Sequence, residues 1–208
     1  MNNPALLNYL ELVLATAQVG LTFSKNCYDI ERFKKLQEVT AKLLASHTQL
    51  NVEAIKTWIT LDSEYPTPKL DVRAVVFNSN QDVLLVQERS DSLWTLPGGW
   101  CDIGESPSEA IEREVLEETG LSCKAVRLLA LFDKHKHSHP PQIPHAHKAF
   151  FLCKVNGGSM LQSTNETSGA QYFSQNALPI LSEHRVLATQ IHTLCNAVKN
   201  DIKECLFD

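Results

Sequence analysis

The stretch GGWCDIGESPSEAIEREVLEETGL, residues 98–121, concentrates negative charge in one short segment. Its seven carboxylates are Asp102, Glu105, Glu109, Glu112, Glu114, Glu117 and Glu118, and Arg113 is its one basic residue. Like charges four residues apart on a helix are mildly destabilising. So many of them in one segment therefore indicate a role other than stability.

Local signals predict a loop followed by a helix in this stretch. Ser106-Pro107-Ser108-Glu109 is a capping box with proline at the first helical position, and Gly120 is a natural C-cap. We therefore expect a helix over residues 107–119, preceded by the loop LPGGWCDIG.

The helical repeat places three of the carboxylates close together. At about 100° per residue, Glu114, Glu117 and Glu118 project within roughly 100° of one another. They lie beside Ile111 and Val115, which can pack into a core. Unpaired carboxylates at the edge of a core raise each other's pKa and oppose folding.

A hard divalent cation would relieve this repulsion. Mg²⁺ and Mn²⁺ prefer carboxylate and carbonyl oxygens and keep waters that a phosphate can displace. The pair Gly98-Gly99 allows the backbone to approach the same site and offer a carbonyl. The pattern favours a metal site for a phosphorylated ligand, and the alternative is a solvated acidic helix face.

The spacing of these residues resembles the Nudix box. Gly99, Glu105 and the run REVLEETGL, residues 113–121, match every fixed position of that motif. The resemblance implies an α+β protein with the Nudix α/β/α sandwich and its mixed sheet. It also implies divalent-metal-dependent hydrolysis of a nucleoside diphosphate linked to another group, X.

The same resemblance implies roles for individual residues. The usual metal ligands are matched by the carbonyl of Gly98 and by Glu114, Glu117 and Glu118. Arg113 matches the arginine that orients the box carboxylates, and Glu105 matches a supporting glutamate. Two metals at such a site would stabilise both the attacking and the leaving oxygen.

The general base is left open by the sequence. Many Nudix hydrolases carry two glutamates about three residues apart in the loop before the last strand. Here that loop reads TNETSGAQYF, with Glu166 present but Gly169 at the later position. Either Glu166 or a box glutamate such as Glu117 would then take the proton from water.

The chain divides into a helical segment and a strand-rich segment. Residues 1–63 show helical periodicity, including a second helix for which we expect Asp29 to be the N-cap. The prolines of EYPTPK, residues 64–69, predict a linker. Residues 70–208 would form the Nudix domain. This arrangement resembles the CDP-choline pyrophosphatase and UDP-X diphosphatase group, often labelled ADP-ribose pyrophosphatases. In that group the helical domain contributes to a homodimer, and a cleft-closing role is the other possibility for it.

Apolar patterns predict the remaining elements. We expect residues 70–77 and 83–88 to form a hairpin, residues 121–132, 147–155 and 169–173 to form strands, and residues 183–207 to form one C-terminal helix.

Further residues are candidates for substrate binding. Arg73 lies among apolar strand residues, so it needs either a substrate phosphate or an internal acidic partner. Trp100 could stack on a nucleobase or pack against the box loop. His135 and His137 lie in a Pro- and His-rich loop that we interpret as a polar loop over the substrate cleft. A soft-metal site is the alternative for these histidines.

Charge and composition limit the partners and the location. The net charge of −5 argues against bulk binding to nucleic acid. We see no apolar run long enough to span a bilayer and no secretory signal, so we expect no membrane partner. The six cysteines lack paired spacing, which is typical of reduced thiols in a cytoplasm.

Three functions compete on this reading. The first is an enzyme that splits CDP-choline-like or UDP-X-like substrates, with ADP-ribose as the alternative substrate. The second is a nucleotide-sensing module without catalysis, which would not need the complete acid set. The third is an enzyme that removes oxidised nucleoside triphosphates. This last reading is weaker because such enzymes usually lack the helical segment.

Overall fold

A computed structural model describes the backbone of residues 4–48, 51–61, 65–140 and 144–208. Its contacts divide the chain into two compact units. One comprises residues 1–68 with 141–145, and the other comprises 69–140 with 146–208. The predicted end of the helical segment, at residues 62–64, lies outside the described residues.

The first unit contains three helices, α1 (Pro4–Phe23), α2 (Cys27–His47) and α3 (Val52–Leu61). One cluster of buried side chains holds it together: Leu7, Leu10, Leu14, Ala41, Leu44 and Ile55. Helix α2 begins earlier than we expected. Asn26, rather than Asp29, is the N-cap, because its side chain accepts a hydrogen bond from the backbone N–H of Tyr28 at 2.9 Å.

Helix α1 is more apolar than the sequence analysis allowed. Residues 6–23 form an 18-residue segment with a mean hydropathy of 1.3. By length and composition alone, this segment is long and apolar enough to cross a bilayer. The expectation that no run reaches that length is therefore wrong. In the structure, Leu10, Leu14 and Ala17 of this stretch are buried, and the stretch as a whole is 22% buried.

The second unit contains two sheets. Strands β1 (Lys69–Val76), β4 (Leu121–Asp133), β5 (Ala146–Gly158) and β7 (Leu206–Phe207) form a mixed sheet in the order β1-β5-β4-β7. Strands β2 (Val83–Glu88), β3 (Trp94–Thr95) and β6 (Thr167–Phe173) form an antiparallel sheet in the order β3-β2-β6. One mixed sheet and one antiparallel sheet, combined with helices, confirm the α+β class.

The predicted hairpin between residues 70–77 and 83–88 is wrong beyond its turn. The side chain of Asn78 accepts hydrogen bonds from the backbone of Asn80 and Asp82, and Phe77 and Val83 form a single bridge. The two strands then enter different sheets. Strand β1 pairs with β5 along one edge and with residues 97–101 along the other, so no edge remains for β2.

The acidic stretch forms helix α4 (Pro107–Thr119), which confirms the predicted bounds. Ser106 and Glu109 make the reciprocal capping-box bonds, and Gly120 ends the helix at φ 74°. Ala110, Ile111 and Val115 pack on the mixed sheet in a buried cluster with Val72 and Ala74 of β1. This packing fixes which face of α4 is turned inward.

A second core and a shorter C-terminal helix complete the unit. Phe150 of β5 and Leu85 of β2 pack with Ile191 and Leu194 of α5 (Ala188–Lys199). The single helix predicted over 183–207 is wrong at both ends. A turn precedes α5, and Asp201 at φ 53° leaves helical geometry before the chain enters β7.

Candidate active site

The loop before α4 is attached to strand β1 through its backbone. Val72 N–H donates to Gly99 O and Ala74 N–H donates to Pro97 O, both at 2.8 Å. Gly98 lies between them at φ 138°, and a Cβ there would be 2.0 Å from the carbonyl oxygen of Val72. Glycine is therefore required at this position by both backbone geometry and space.

Glu118 is bound to this loop. Its Oε2 accepts a hydrogen bond from the N–H of Gly98 at 2.8 Å, and its side chain is buried. Burial raises the pKa of Glu118 to about 8, although Arg73 and the Gly98 N–H act in the opposite direction. A cation that binds next to this buried carboxyl group would favour its ionised form.

Arg113 organises the other box carboxylates. It makes two hydrogen bonds to Glu105, at 2.7 and 3.0 Å, and one each to Glu114 at 2.9 Å and Glu117 at 3.0 Å. The hydrogen bonds from Arg113 lower the pKa of Glu105 to about 2. Burial raises the pKa of Glu114, whereas Arg113 opposes that rise. One guanidinium therefore neutralises the outer part of the acid cluster.

These groups line a cavity of about 320 Å³. We define its box wall as Gly98, Gly99, Trp100, Asp102, Arg113, Glu114 and Glu118. We define its assembled wall as Arg73, Glu88, Glu166 and Arg185, which come from four separate segments of the chain. The structure thus brings both predicted arginines and Glu166 to one cavity with the box.

Glu117 has a different position from its two box neighbours. Its side chain is 60% exposed, it bonds to Arg113, and it is not among the residues that line the cavity. Its predicted role as a metal ligand or base stays a prediction.

Arg73 has the internal partner that the sequence left open. Its side chain is buried and makes two hydrogen bonds to Asp71, at 2.7 and 3.3 Å, and one to Leu96 O at 3.2 Å. Asp71 also forms an ion pair with Lys148, and burial lowers the pKa of Lys148 to about 8. Arg73 still lines the cavity, so anchoring by Asp71 and contact with a substrate are compatible.

The two predicted histidines lie elsewhere. His135 is in a short 3₁₀ turn, Lys134–Lys136, and His137 follows it. The ring of His137 contacts Phe132, and its Nε2 lies 3.0 Å from Asp208 Oδ1. Neither histidine lines the cavity as the described residues define it. Trp100 does line it and is 48% exposed.

The chemistry of the donors fits a hard divalent cation. Glu114 and Glu118 present buried carboxylates to a cavity whose rim also includes the backbone of Gly98. The space is kept open by the absence of a side chain at Gly99, since a Cβ there would be 2.8 Å from Glu114 Oε1. Oxygen donors of this kind are preferred by Mg²⁺ and Mn²⁺.

Comparison with known proteins gives the family. Residues 67–193 match the NUDIX domain, and residues 4–59 match the "UDP-X-like, N-terminal oligomerisation domain". The chain belongs to the Nudix hydrolase family. The two matches together cover both structural units, and neither match indicates a membrane protein.

Individual relatives divide between two names. The chain is 42% identical to a Bacillus subtilis protein named "Putative ADP-ribose pyrophosphatase YjhB", over 94% of this chain and 93% of the relative. A crystal structure of a UDP-X diphosphatase is 32% identical, with a TM-score of 0.64, covering 99% of this chain and all of that one. An ADP-ribose pyrophosphatase structure from Streptococcus suis is 40% identical, with a TM-score of 0.62, covering 68% of this chain and 100% of that one.

This Nudix site contains residues that sequence reasoning missed. Glu88 and Arg185 line the cavity and form an ion pair at 3.0 Å, yet they are 97 positions apart in the chain. Asp71 and Lys148 were also missed. The one available signal was Glu88 itself, a charged residue at the end of an apolar strand, beside a loop of the kind that often carries functional groups.

Proposed function

We propose that this protein hydrolyses the diphosphate bond of a nucleoside diphosphate linked to X, and releases a nucleoside monophosphate and phospho-X. CDP-choline-like and UDP-X-like substrates come before ADP-ribose in this proposal. The observation that carries it is the pair of buried box carboxylates, Glu114 and Glu118, in a cavity that also contains Arg73 and Arg185. The match of residues 4–59 to a UDP-X-like domain favours the order of substrates.

Mg²⁺ or Mn²⁺ would be held by Glu114, Glu118 and the carbonyl of Gly98, with Glu117 as a further ligand. When bound, the cation supplies charge neutralisation at the diphosphate and lowers the pKa of water.

Arg73, fixed by Asp71, would bind a phosphate oxygen, because a planar guanidinium suits this geometry. Arg113 and Glu105 would keep the box carboxylates in place. Trp100 would contact the base, and His135 and His137 stay candidates for the edge of the site.

A hydrolysis panel tests the substrate class. It would contain CDP-choline, UDP-sugars, ADP-ribose, NADH and nucleoside triphosphates, each with Mg²⁺, with Mn²⁺ and with a chelator. We expect metal-dependent release of CMP or UMP. Absence of any nucleotide product with every substrate would contradict the proposal, and tight nucleotide binding in that case would favour a sensor.

ADP-ribose is the second candidate substrate. Two relatives named as ADP-ribose pyrophosphatases favour it, one aligned over 94% of this chain and the other covering 68% of it. In the same panel, a kcat/KM for ADP-ribose at least tenfold above that for CDP-choline and UDP-sugars would replace our first choice while keeping the reaction.

We also propose that residues 1–63 form a domain that makes a homodimer, joined by a linker at 64–69 to a Nudix domain at 70–208. Helix α2 supports this with an apolar stripe of exposed side chains at helical spacing, Leu36, Val39 and Leu43. The matched domain description names oligomerisation. A cleft-closing role is the alternative.

Mass in solution tests the dimer. We expect twice the 23.3 kDa of the chain for the full-length protein, and the monomer mass for a Val39→Lys, Leu43→Lys variant. Glu38→Gln, an exposed change on the same helix, is the control and should stay dimeric. Dimeric mass in the double variant would refute this face, and monomeric mass in the full-length protein would refute the dimer.

A cytoplasmic location belongs to the same proposal. All six cysteines are free thiols in the structure, as expected for a reducing compartment. Cell fractionation with activity measured in each fraction would test it.

A further inference from the structure

Glu88 is presented to the active-site cavity by rigid backbone. It is the last residue of β2 and pairs with Thr167 of β6. Its N–H donates to Leu93 O and its carbonyl accepts from Ser92 N–H, both at 2.9 Å. Its side chain is only 12% exposed and lines the cavity. The backbone of Glu88 is therefore held on one side by β6, at a β-bulge, and on the other by the turn of residues 89–93 that follows β2.

Arg185 fixes the orientation of this carboxylate. Its Nε lies 3.0 Å from Glu88 Oε1. Its Nη1 donates to Asp91 and Ser182, both at 2.9 Å, and its Nη2 donates to Ser90 at 3.1 Å. Four partners leave the guanidinium little freedom. Among the hydrogen bonds of the described residues, none uses Glu88 Oε2, so this oxygen is available to accept a proton donor.

Three of the charged groups around Glu88, namely Arg73, Arg185 and Glu166, line the same cavity, and Asp91 does not. Arg185, Arg73, Asp91 and Glu166 act on its charge, and Glu88 in turn acts on Glu118. Burial raises the pKa of Glu88, and the two arginines oppose that rise. A base near its operating pH is most effective. Glu88 thus combines a position beside the metal-binding carboxylates with an oriented, open oxygen.

We propose that Glu88 is the general base of the reaction and that Arg185 is its positioning residue. An O–H bond of the attacking water breaks, and the proton moves to Glu88 Oε2. The water oxygen forms a bond to phosphorus, and the bridging P–O bond breaks with its electron pair on the leaving phosphate. This inference rests on the proposed hydrolysis of a nucleoside diphosphate.

The two bases suggested by the sequence have weaker geometry. Glu117 is 60% exposed and bound to Arg113. Glu166 lines the cavity, but its side chain is exposed and it lies in the loop that precedes β6. A base must be held in place to act within hydrogen-bond reach of water. The described contacts fix only Glu88 by both a strand and an arginine.

The test compares Glu88→Gln with Asp91→Asn. Both changes remove one carboxylate partner of Arg185, but only Glu88 lines the cavity. We expect Glu88→Gln to lower kcat by about 100-fold or more with KM within about threefold, as is typical for loss of a general base. Asp91→Asn should keep kcat within about threefold of wild type.

A double-variant cycle tests the positioning role. Arg185→Lys should lower kcat by about tenfold with little change in KM, because lysine cannot hold the carboxylate in the same geometry. The variant that combines Arg185→Lys with Glu88→Gln should lose no more activity than Glu88→Gln alone. Full additivity would refute the positioning role of Arg185.

Other outcomes overturn the assignment of Glu88. Equal losses in Glu88→Gln and Asp91→Asn would show that Glu88 only anchors Arg185. Glu88→Gln within threefold of wild type, with a 100-fold loss in Glu166→Gln, would assign the base to Glu166. Thermal melting and Mn²⁺ binding measured by electron paramagnetic resonance should match wild type, and loss of either would assign Glu88 to folding or to the metal site. A wild-type protein inactive on every substrate would instead refute the proposed function.

Discussion

The two walls of the active-site cavity are built in different ways. The box wall comes from residues 98–118, and a single cation, Arg113, bridges Glu105, Glu114 and Glu117. The assembled wall takes Arg73, Glu88, Glu166 and Arg185 from four segments. There, Arg73 bonds to Asp71, and Arg185 bonds to Glu88 and Asp91.

The two walls therefore stabilise their charged side chains in different ways. In the box wall, Glu118 is buried, and no arginine of the described residues is hydrogen-bonded to it, so this wall is suited to binding a cation from solution. The assembled wall pairs the buried Arg73 and the partly exposed Arg185 with carboxylates of the chain, so it is suited to orienting groups that already have their charge. Buried charges require such partners.

The largest effect should come from the unpaired carboxylate of the box wall. Glu118→Gln should lower kcat/KM by about 1,000-fold, or about 4 kcal/mol, because the cation loses a buried ligand. Glu112→Gln on the same helix is the control. Its side chain accepts hydrogen bonds from Ala125 and Lys124 and does not line the cavity. Equal losses of kcat/KM in the two variants would mean that a carboxylate lining the cavity matters no more than one that does not line it.

The next effect tests how far the box wall depends on strand β1. Gly98→Ala should lower the free energy of unfolding by about 3 kcal/mol, because its Cβ would overlap the carbonyl of Val72 and its φ is 138°. Gly104→Ala is the matched control, since Gly104 is at φ 97° with open space around it. Urea unfolding measures both. A smaller loss at Gly98 than at Gly104 would mean that the loop can leave β1.

Without metal, the box wall should make stability depend on pH. The unfolded Glu118 releases its proton near pH 4.5, whereas the folded one keeps it until about pH 8. The folded state binds more protons in this window, so the free energy of unfolding should fall as pH rises. Between pH 6.5 and 8 we expect a loss of about 2 kcal/mol in a chelator.

Chemical unfolding at several pH values measures that slope. Glu118→Gln should flatten it, and Mg²⁺ or Mn²⁺ should restore stability at pH 8 by binding the ionised carboxylate. A slope unchanged by Glu118→Gln would place the titrating group elsewhere.

The smallest effect concerns the shared cation of the box wall. Arg113→Lys should lower kcat/KM by about tenfold, because a lysine cannot bond to three carboxylates with one planar group. Lys124→Met removes the exposed ion pair with Glu112, and it should leave kcat/KM unchanged. If Arg113→Lys also left kcat/KM unchanged, the carboxylates would need no common partner.

The sequence predictions were correct where neighbouring residues determine a feature and wrong where residues distant in the chain determine it. The bounds of α4 were correct because its caps, Ser106 and Gly120, lie next to it in the chain. The β1–β2 hairpin was wrong because the outer edge of β1 is taken by residues 97–101, which no local pattern indicates. The C-terminal helix was too long because its apolar spacing continued past Asp201, where the backbone turns.

The sequence by itself determined the family, the helix α4 and the identity of the box carboxylates, because spacing along one helix already places side chains on one face. Only the tertiary structure decided that Arg73 bonds to Asp71, that Glu117 stays outside the cavity, and that Glu88 meets Arg185. These contacts depend on where strands and turns distant in sequence come together. Their formation is governed by packing of the two cores, which a local pattern of residues does not encode.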